Sequence, residues 1–450
     1  MTRIFGHFVP IEMICLWLLE FFPGLLAIYL LLLPGGLAPG LFDLAILRHA
    51  VIFTLTLSAT WTAIGLYQPE ICLKTRRLFI STATGAVLGL PALLAVGAVF
   101  GIETAGLVGG SLLRPVQFVL TWIVLLFATR LTFRAALRLN LFARKVLIVG
   151  HPAEAARTRA AIDRLRSGFF TVTSIASPAD TAALAPAALA RDHVWAVVVT
   201  AEARGSLPQD QLMHGKRTGI QVFGDVEFCE QQLRRIDLDH LETDWMLFAP
   251  GLSRGPLEAG IRRACDITMS LCVLALTLPV MALAALLIRL DSPGPILYRQ
   301  ARVGLQGRVF TLLKFRSMRT DAEAGGPIWA AKQDPRVTRI GSFIRLTRID
   351  ELPQLINVLK GEMNFVGPRP ERPHFVEQLA EIIPFYRDRS AVKPGITGWA
   401  QVNYPYGASV EDARQKLSYD LYYVKRRSLF LDLLILLATV RVILFQEGSR

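Results

Sequence analysis

Charge is what this sequence has least of: 19% of its 450 residues are Asp, Glu, Lys or Arg, while 52% are hydrophobic. That balance excludes an ordinary soluble globule and places part of the chain in lipid. Cysteine is also scarce. Cys15, Cys72, Cys229, Cys265 and Cys272 form no C-x-x-C pair, so neither a zinc site nor a disulfide framework is suggested. Three of them lie in or against apolar runs, and buried small hydrophobes are the expectation. The seven histidines lack metal-ligand spacing. Internal repeats and low-complexity segments are missing, the Ala-rich stretch 181–190 coming nearest.

Five apolar runs are present, at 15–34, 49–67, 78–101, 115–129 and 268–288. Each is near the length that crosses or enters a hydrocarbon core about 30 Å thick. The first is too long for a cleaved secretory signal and is followed by three more, so it reads as a retained span. The formal net charge of +13 would suit nucleic acid, but the cations gather around the apolar runs. Lys74, Arg76 and Arg77 follow the second run, and Arg130, Arg134, Arg138, Arg144 and Lys145 follow the fourth, while the facing loops hold little beyond Arg48 and Arg114. That asymmetry orients a protein in a membrane, with both ends of a four-span unit (1–140) cytoplasmic and no nucleic-acid partner.

The pattern then changes. KVLIVG (145–150), TVTSIA (171–176), AVVVT (196–200) and IQVFG (220–224) alternate with helical stretches, which predicts a small parallel, doubly wound, Rossmann-like α/β domain over 141–250. A dinucleotide fingerprint would need G-x-G-x-x-G after the first strand, and the chain offers Gly150, Pro152 and Ala155. Proline brings bulk where the backbone must come close, so a structural or regulatory role is expected.

The fifth run, within 268–290, has Arg262 and Arg263 before it and Arg289, Arg299 and Arg302 after it. A simple crossing would leave one basic flank outside. Pro279 at its centre suggests two half-helices that enter and leave on one face, a re-entrant hairpin; an ordinary kinked span is the alternative.

Between Arg299 and Arg372 the net charge is +7. Within it, Pro353 fits only the first turn of a helix, so the helix carrying Leu355, Ile356, Val358 and Leu359 is expected to start near Asp350 or Glu351 and to end at Gly361. Asp350 would then sit at a positive helix end beside Arg345 and Arg348, both favouring the ionised carboxylate. Such a carboxylate can attack phosphorus while its neighbour Glu351 holds a divalent cation. The bland reading makes Asp350 an N-cap and Glu351 a dipole partner.

A family comes into view over about 185 residues. Arg262, Arg263 and Asp266 precede DSPGPILYRQARVG (291–304), KFRSM (314–318), DPRVTRIGSFIRLTRIDELPQLINVLKGEM (334–363), VGPRP (366–370), KPGITGWAQV (393–402) and YDLYYVKRRSLFLDL (419–433). This order resembles the bacterial phosphoglycosyl transferases, and the four spans with an α/β domain resemble their large polytopic branch, which starts exopolysaccharide synthesis. The resemblance implies a helical catalytic domain over 251–450, with Asp350 attacking the β-phosphate of a UDP-sugar, UMP leaving, and undecaprenyl phosphate taking the phosphosugar. It implies Mg2+ at Glu351, membrane anchoring through the Pro279 helix on the cytoplasmic face of the inner membrane, a hexose with glucose first, and a plausible homodimer. Lys314, Arg316, Arg348 and Arg369 are the expected phosphate ligands. Trp399 is expected either on the uracil or in a core or interface position. The tail 428–445 reads as an amphipathic interfacial helix. A non-catalytic scaffold gripping lipid phosphate is the reading from another class, and a nucleotide-sugar dehydratase or epimerase lacks its fingerprint.

Overall fold

The computed structural model describes residues 2–4, 7–9, 11–33, 43–67, 75–100, 113–139, 141–164, 169–207, 209–239, 241, 243–252, 255–322, 334–404, 407 and 409–444. Cys72 and Lys74 lie outside them. After a short hairpin, β1 Thr2–Ile4 and β2 His7–Val9, the first apolar runs form α1 Ile11–Leu32, α2 Leu44–Ile64, α3 Thr75–Val99 and α4 Leu113–Arg138. Asp43 starts α2 by accepting the Ala45 amide at 2.8 Å, and Gly65 at φ 83° ends it. Segments of α1, α2 and α3 are long and apolar enough to cross a membrane, as is a later helix, Pro256–Asp291. In α4 the side chains of 113–122 are not among the described ones.

Glu20 of α1 and Arg130 of α4 are fully buried and paired at 2.8 Å. Thr129 and Tyr67 also donate to Glu20, at 2.9 and 2.8 Å, and Arg130 donates to the Leu66 carbonyl. Two charges in an apolar helix bundle persist because each neutralises the other.

The next strands, β3 Arg144–Val149, β4 Phe170–Ala176, β5 Val194–Val199 and β6 Gln221–Gly224, form one parallel sheet in the order β4-β3-β5-β6. β5 is apolar throughout because helices cover both faces of such a sheet. Helix α5, Pro152–Arg164, follows β3. Gly150 precedes it because a Cβ there would stand 2.2 Å from the Thr200 hydroxyl. Cys229 is buried here, whereas Cys15, Cys265 and Cys272 point outward, three of them thus departing from the expected burial.

The chain divides between Leu233 and Arg234 into two compact units. The segment after Arg234 was expected to close the α/β domain. Its Ile236, Leu238, Trp245 and Ala249 instead enter the core of the second unit, with Leu417, Leu421 and Tyr422.

That unit opens with α6, Pro256–Asp291, 36 residues that continue helical through Pro279. The hairpin β7 Leu297–Val303 and β8 Val309–Phe315 turns at Gln306 and Gly307, both at positive φ. Helix α7 Arg339–Leu346 and a 3-10 turn Ile349–Glu351 lead to α8 Gln354–Lys360, which ends at Gly361, φ 83°. β9 Asn364–Val366 pairs in parallel with β10 Gly395–Thr397, with α9 Pro373–Ile382 between them. α10 Val410–Arg426, started by a capping box of Ser409 and Asp412, and α11 Leu429–Leu444 close the unit.

Three residues turn inward against one reading of the sequence. Trp399 is buried in the core and donates from its ring nitrogen to the Arg234 carbonyl at 3.0 Å, so it offers no face to a base. In α11, Asp432 pairs with Arg262 of α6 and accepts from Tyr423 at 2.8 Å, while Arg441 donates to the Val402 carbonyl. The polar breaks of that apolar tail are therefore tied to its own unit.

Candidate active site

Arg348 sits at φ 60°, a left-handed conformation costing a non-glycine residue roughly 1–2 kcal/mol. It breaks the chain away from α7 and lets the turn Ile349–Glu351 present its two carboxylates before α8 begins. Pro353 occupies the capping position of α8, as its missing N–H permits. Asp350 is consequently neither an N-cap nor at the helix terminus.

Glu351 collects cations. Its Oε1 receives Arg369 at 2.8 Å, Lys314 at 3.3 Å and Arg348 at 3.7 Å. Burial alone would raise its pKa, but Arg369, then Lys314 and Arg348, hold it well below the usual carboxylate range. Burial lowers the Lys314 ammonium, with Glu351 opposing.

At Asp350 burial opposes the ionised form that the neighbouring cations were expected to favour. It is 8% exposed, and its Oδ1 is buried with no hydrogen-bond partner. Burial pushes its carboxyl above the ordinary value; Lys314, Arg345 and Arg348 pull it down and Glu351 pushes it further up. A carboxylate stripped of water and hydrogen bonds is a stronger nucleophile than a solvated one.

The phosphate-ligand candidates separate. Lys314, Arg348 and Arg369 meet at the acidic pair, but Arg316 does not join them. It is buried and donates to the carbonyls of Ser292 (2.6 Å), Pro293 (2.9 Å) and Ile288 (3.5 Å), sealing the end of α6. Pro279, inside α6, is likewise remote in sequence from any contact described at the acidic pair.

Sequence reasoning assigns no role to several supporting residues, and it names Arg263 only as a landmark of the family pattern. Fully buried Asn357 of α8 accepts from the Leu313 amide at 3.1 Å and donates to the Thr311 carbonyl at 2.8 Å, stapling α8 to the strand that carries Lys314. Arg263 caps α8 at the Val358 and Leu359 carbonyls, 2.6 and 2.7 Å. Arg389 donates to the Arg369 carbonyl at 3.0 Å and pairs with buried Asp420 at 2.7 Å. Burial pushes Asp420 up to about 6, against Arg389. Only the polar residue at a helical core spacing, Asn357 among Leu355 and Val358, carried a signal in the sequence.

Among the described residues no three His, Cys, Asp or Glu are grouped for a metal. Mg2+ does not require them, since it commonly takes one or two carboxylates with water and substrate phosphates. Adjacent carboxylates, one with an orphaned oxygen, suit such a hard cation.

Residues 257–446 match the family described as bacterial sugar transferase. A putative undecaprenyl-phosphate N-acetylgalactosaminyl 1-phosphate transferase of Bacillus subtilis is 57% identical over 129 residues, 29% of this chain and 72% of that protein. The exopolysaccharide production protein PSS of Rhizobium leguminosarum is 43% identical over 193 residues, 41% of this chain and 95% of that protein. The chain belongs to the bacterial sugar transferase family. A UDP-N-acetylgalactosamine-undecaprenyl-phosphate N-acetylgalactosaminephosphotransferase of Aeromonas hydrophila is 45% identical over 231 residues, 51% of this chain but 54% of that relative, so the chain spans about half of it. In this bacterial sugar transferase the matched stretch contains Lys314, Asp350, Glu351 and Arg369 together.

Proposed function

We propose that the chain transfers a sugar 1-phosphate from a UDP-sugar to undecaprenyl phosphate through a phosphosugar held on Asp350. The observation that carries this reading is the buried, unbonded Oδ1 of Asp350 beside a glutamate ringed by Lys314, Arg348 and Arg369. An Asp350 oxygen forms a bond to the β-phosphorus as the bond from that phosphorus to the bridging oxygen breaks, and UMP leaves with the electron pair. An oxygen of the lipid phosphate then bonds to the same phosphorus and frees the carboxylate. Lys314, Arg348 and Arg369 offset charge on the phosphate oxygens. Glu351 with Asp350 would hold Mg2+, which supplies further charge neutralisation when bound.

The membrane side of the reading rests on α6. Its apolar middle exposes Leu271, Leu276, Leu278, Leu283 and Leu286. Upstream, Arg263 holds α8 and Asp266 accepts the Phe365 amide at 2.9 Å; downstream, Arg316 holds the helix end at Ser292. A straight helix from 266 to 288 spans about 33 Å, a full hydrocarbon thickness. One unit grips both ends, which favours re-entry at Pro279, with the site on the cytoplasmic face of a bacterial inner membrane. The upstream α/β domain is read as Rossmann-like, and the product as the first lipid-linked unit of an exopolysaccharide. The names of the Aeromonas and Bacillus relatives favour an N-acetylhexosamine over the glucose suggested by the sequence.

The test incubates the full chain with undecaprenyl phosphate and a panel that includes UDP-N-acetylgalactosamine and UDP-glucose, and measures UMP. At least one donor should yield UMP, and Asp350→Asn should abolish it while keeping a cooperative thermal unfolding transition. Full activity in that variant removes the covalent role of Asp350.

A further inference from the structure

Lys314 meets Glu351 at 3.3 Å across 37 residues of sequence, so that contact lasts only while other bonds hold the two backbones together. Asn357 ties α8 to β8 at Thr311 and Leu313, before Lys314 in the strand. After Lys314 the chain reaches Arg316, which is 5% exposed and turns to the end of α6. Its guanidinium donates to the Ser292 carbonyl at 2.6 Å, the Ser292 hydroxyl at 3.0 Å and the Pro293 carbonyl at 2.9 Å, and its own amide donates to the Ile296 carbonyl at 2.9 Å. A planar guanidinium carries its donors in a fixed fork and can hold several acceptors at once, which a flexible ammonium does poorly.

The same half of α6 also touches the neighbours of both site residues. Phe315, directly after Lys314, is buried with Ala284 and Ile288 of α6, and Ile349, directly before Asp350, packs against that cluster with Met281. At its other end, α6 holds α8 through Arg263, which caps the Val358 and Leu359 carbonyls. β8 and the turn of the acidic pair thus share one support. A strand held at Leu313 and again at Arg316 cannot carry Lys314 away from Glu351 without breaking buried hydrogen bonds.

We propose that Arg316 is a positioning residue: by locking the end of β8 onto the end of α6, it keeps the Lys314 ammonium against Glu351. Its part in catalysis rests on the transfer reading above, whereas its hold on Lys314 is a property of the folded chain and is measured without turnover.

Competitive acetylation of the full-length protein in detergent, read lysine by lysine by mass spectrometry, reports that hold. The Lys314 side chain is 17% exposed and should react slowly in the wild type. Arg316→Gln keeps a hydrogen-bonding side chain but loses the fork, and should speed acetylation of Lys314 by about fivefold or more. Arg316→Lys keeps the charge and should fall between the two. Arg319→Gln, at an exposed position further along, should leave Lys314 as in the wild type. Lys416, half-buried and bonded to the Gly407 carbonyl at 2.7 Å, reports loosening elsewhere and should not change. Steady-state kinetics should show Arg316→Gln lowering kcat for UMP release by about tenfold with KM for the UDP-sugar within about threefold, and lowering kcat little further in a Lys314→Met background. Unchanged Lys314 reactivity in Arg316→Gln, or a rise shared by Lys416, would overturn the positioning role; should Arg316→Gln not fold, wild-type reactivity of Lys314 in Arg316→Lys overturns it equally. If Lys314 is released as expected but the wild type yields UMP from no UDP-sugar, Arg316 keeps its positioning role and the transfer reading is what fails.

Discussion

At the scale of single residues, the candidate site sets side by side two carboxylates pushed in opposite directions. Asp350 has lost water and gained no hydrogen bond at Oδ1; Glu351 is equally enclosed but meets three cations. The ionised form of Asp350 therefore costs native stability at neutral pH. Asp350→Asn should raise the melting temperature by roughly 2–4 °C at pH 8, the equivalent of about 1 kcal/mol. The sign follows from an elevated carboxyl: the gain shrinks as pH falls through the raised value and is gone below the unfolded value of about 3.9. Scanning calorimetry at several pH values checks it. Lys314 pulls Asp350 down, so Lys314→Met should move the acid limb of the kcat profile to higher pH, a shift read from a pH-rate series. The pairing of Asp350 and Glu351 was legible in the sequence because adjacency is local. Their opposite titration was not, since burial depends on segments such as β8 and the turn at Arg369 that lie far along the chain. Arg316 shows the same limit: its position in KFRSM marks it as a phosphate ligand, but packing commits it to the carbonyls ending α6.

Elements hold those residues in place through a few polar staples. Asn357 bonds both Thr311 and Leu313, fixing the strand of Lys314 against α8. Replacing it by leucine strands buried backbone groups, at about 1–3 kcal/mol each, and should lower kcat more than it alters KM; denaturant unfolding and steady-state kinetics separate the two effects. Helix boundaries were readable where one residue dictates the backbone, as at Gly361, whose φ of 83° ends α8. The start of α8 was misjudged by a few residues because Pro353 is tolerated both in a first turn and at a cap. For α6, single cysteines at Gly260 and Arg299, placed in a chain whose native cysteines are alanine, report its topology. A membrane-impermeant maleimide should modify both from the cytoplasmic side; labelling of Arg299→Cys from the opposite side alone would establish a full crossing.

For the molecule as a whole, the division at Leu233 and Arg234 matters more than the expected boundary near 250. Ile236, Leu238 and Trp245 are buried in the second unit, and three large side chains contribute about 1.5–3 kcal/mol each against a total stability of roughly 5–15 kcal/mol. A chain of residues 234–450 should fold and release UMP within about tenfold of the full protein, while one beginning at 251 should be soluble only poorly and inactive; circular dichroism and the UMP assay check both. The alternation of strands and helices announced the parallel sheet, but where the linker packs is decided by partners such as Tyr422 and could not be read along the chain.

The most direct measurement omits the acceptor. Purified protein mixed with the proposed UDP-sugar donor and no polyprenyl phosphate should release a burst of about one UMP per active chain, and digestion should yield a peptide containing Asp350 heavier by one phosphosugar. If UMP appears only once polyprenyl phosphate is added, and no modified peptide forms, the sugar phosphate passes directly between substrates and Asp350 is not its carrier.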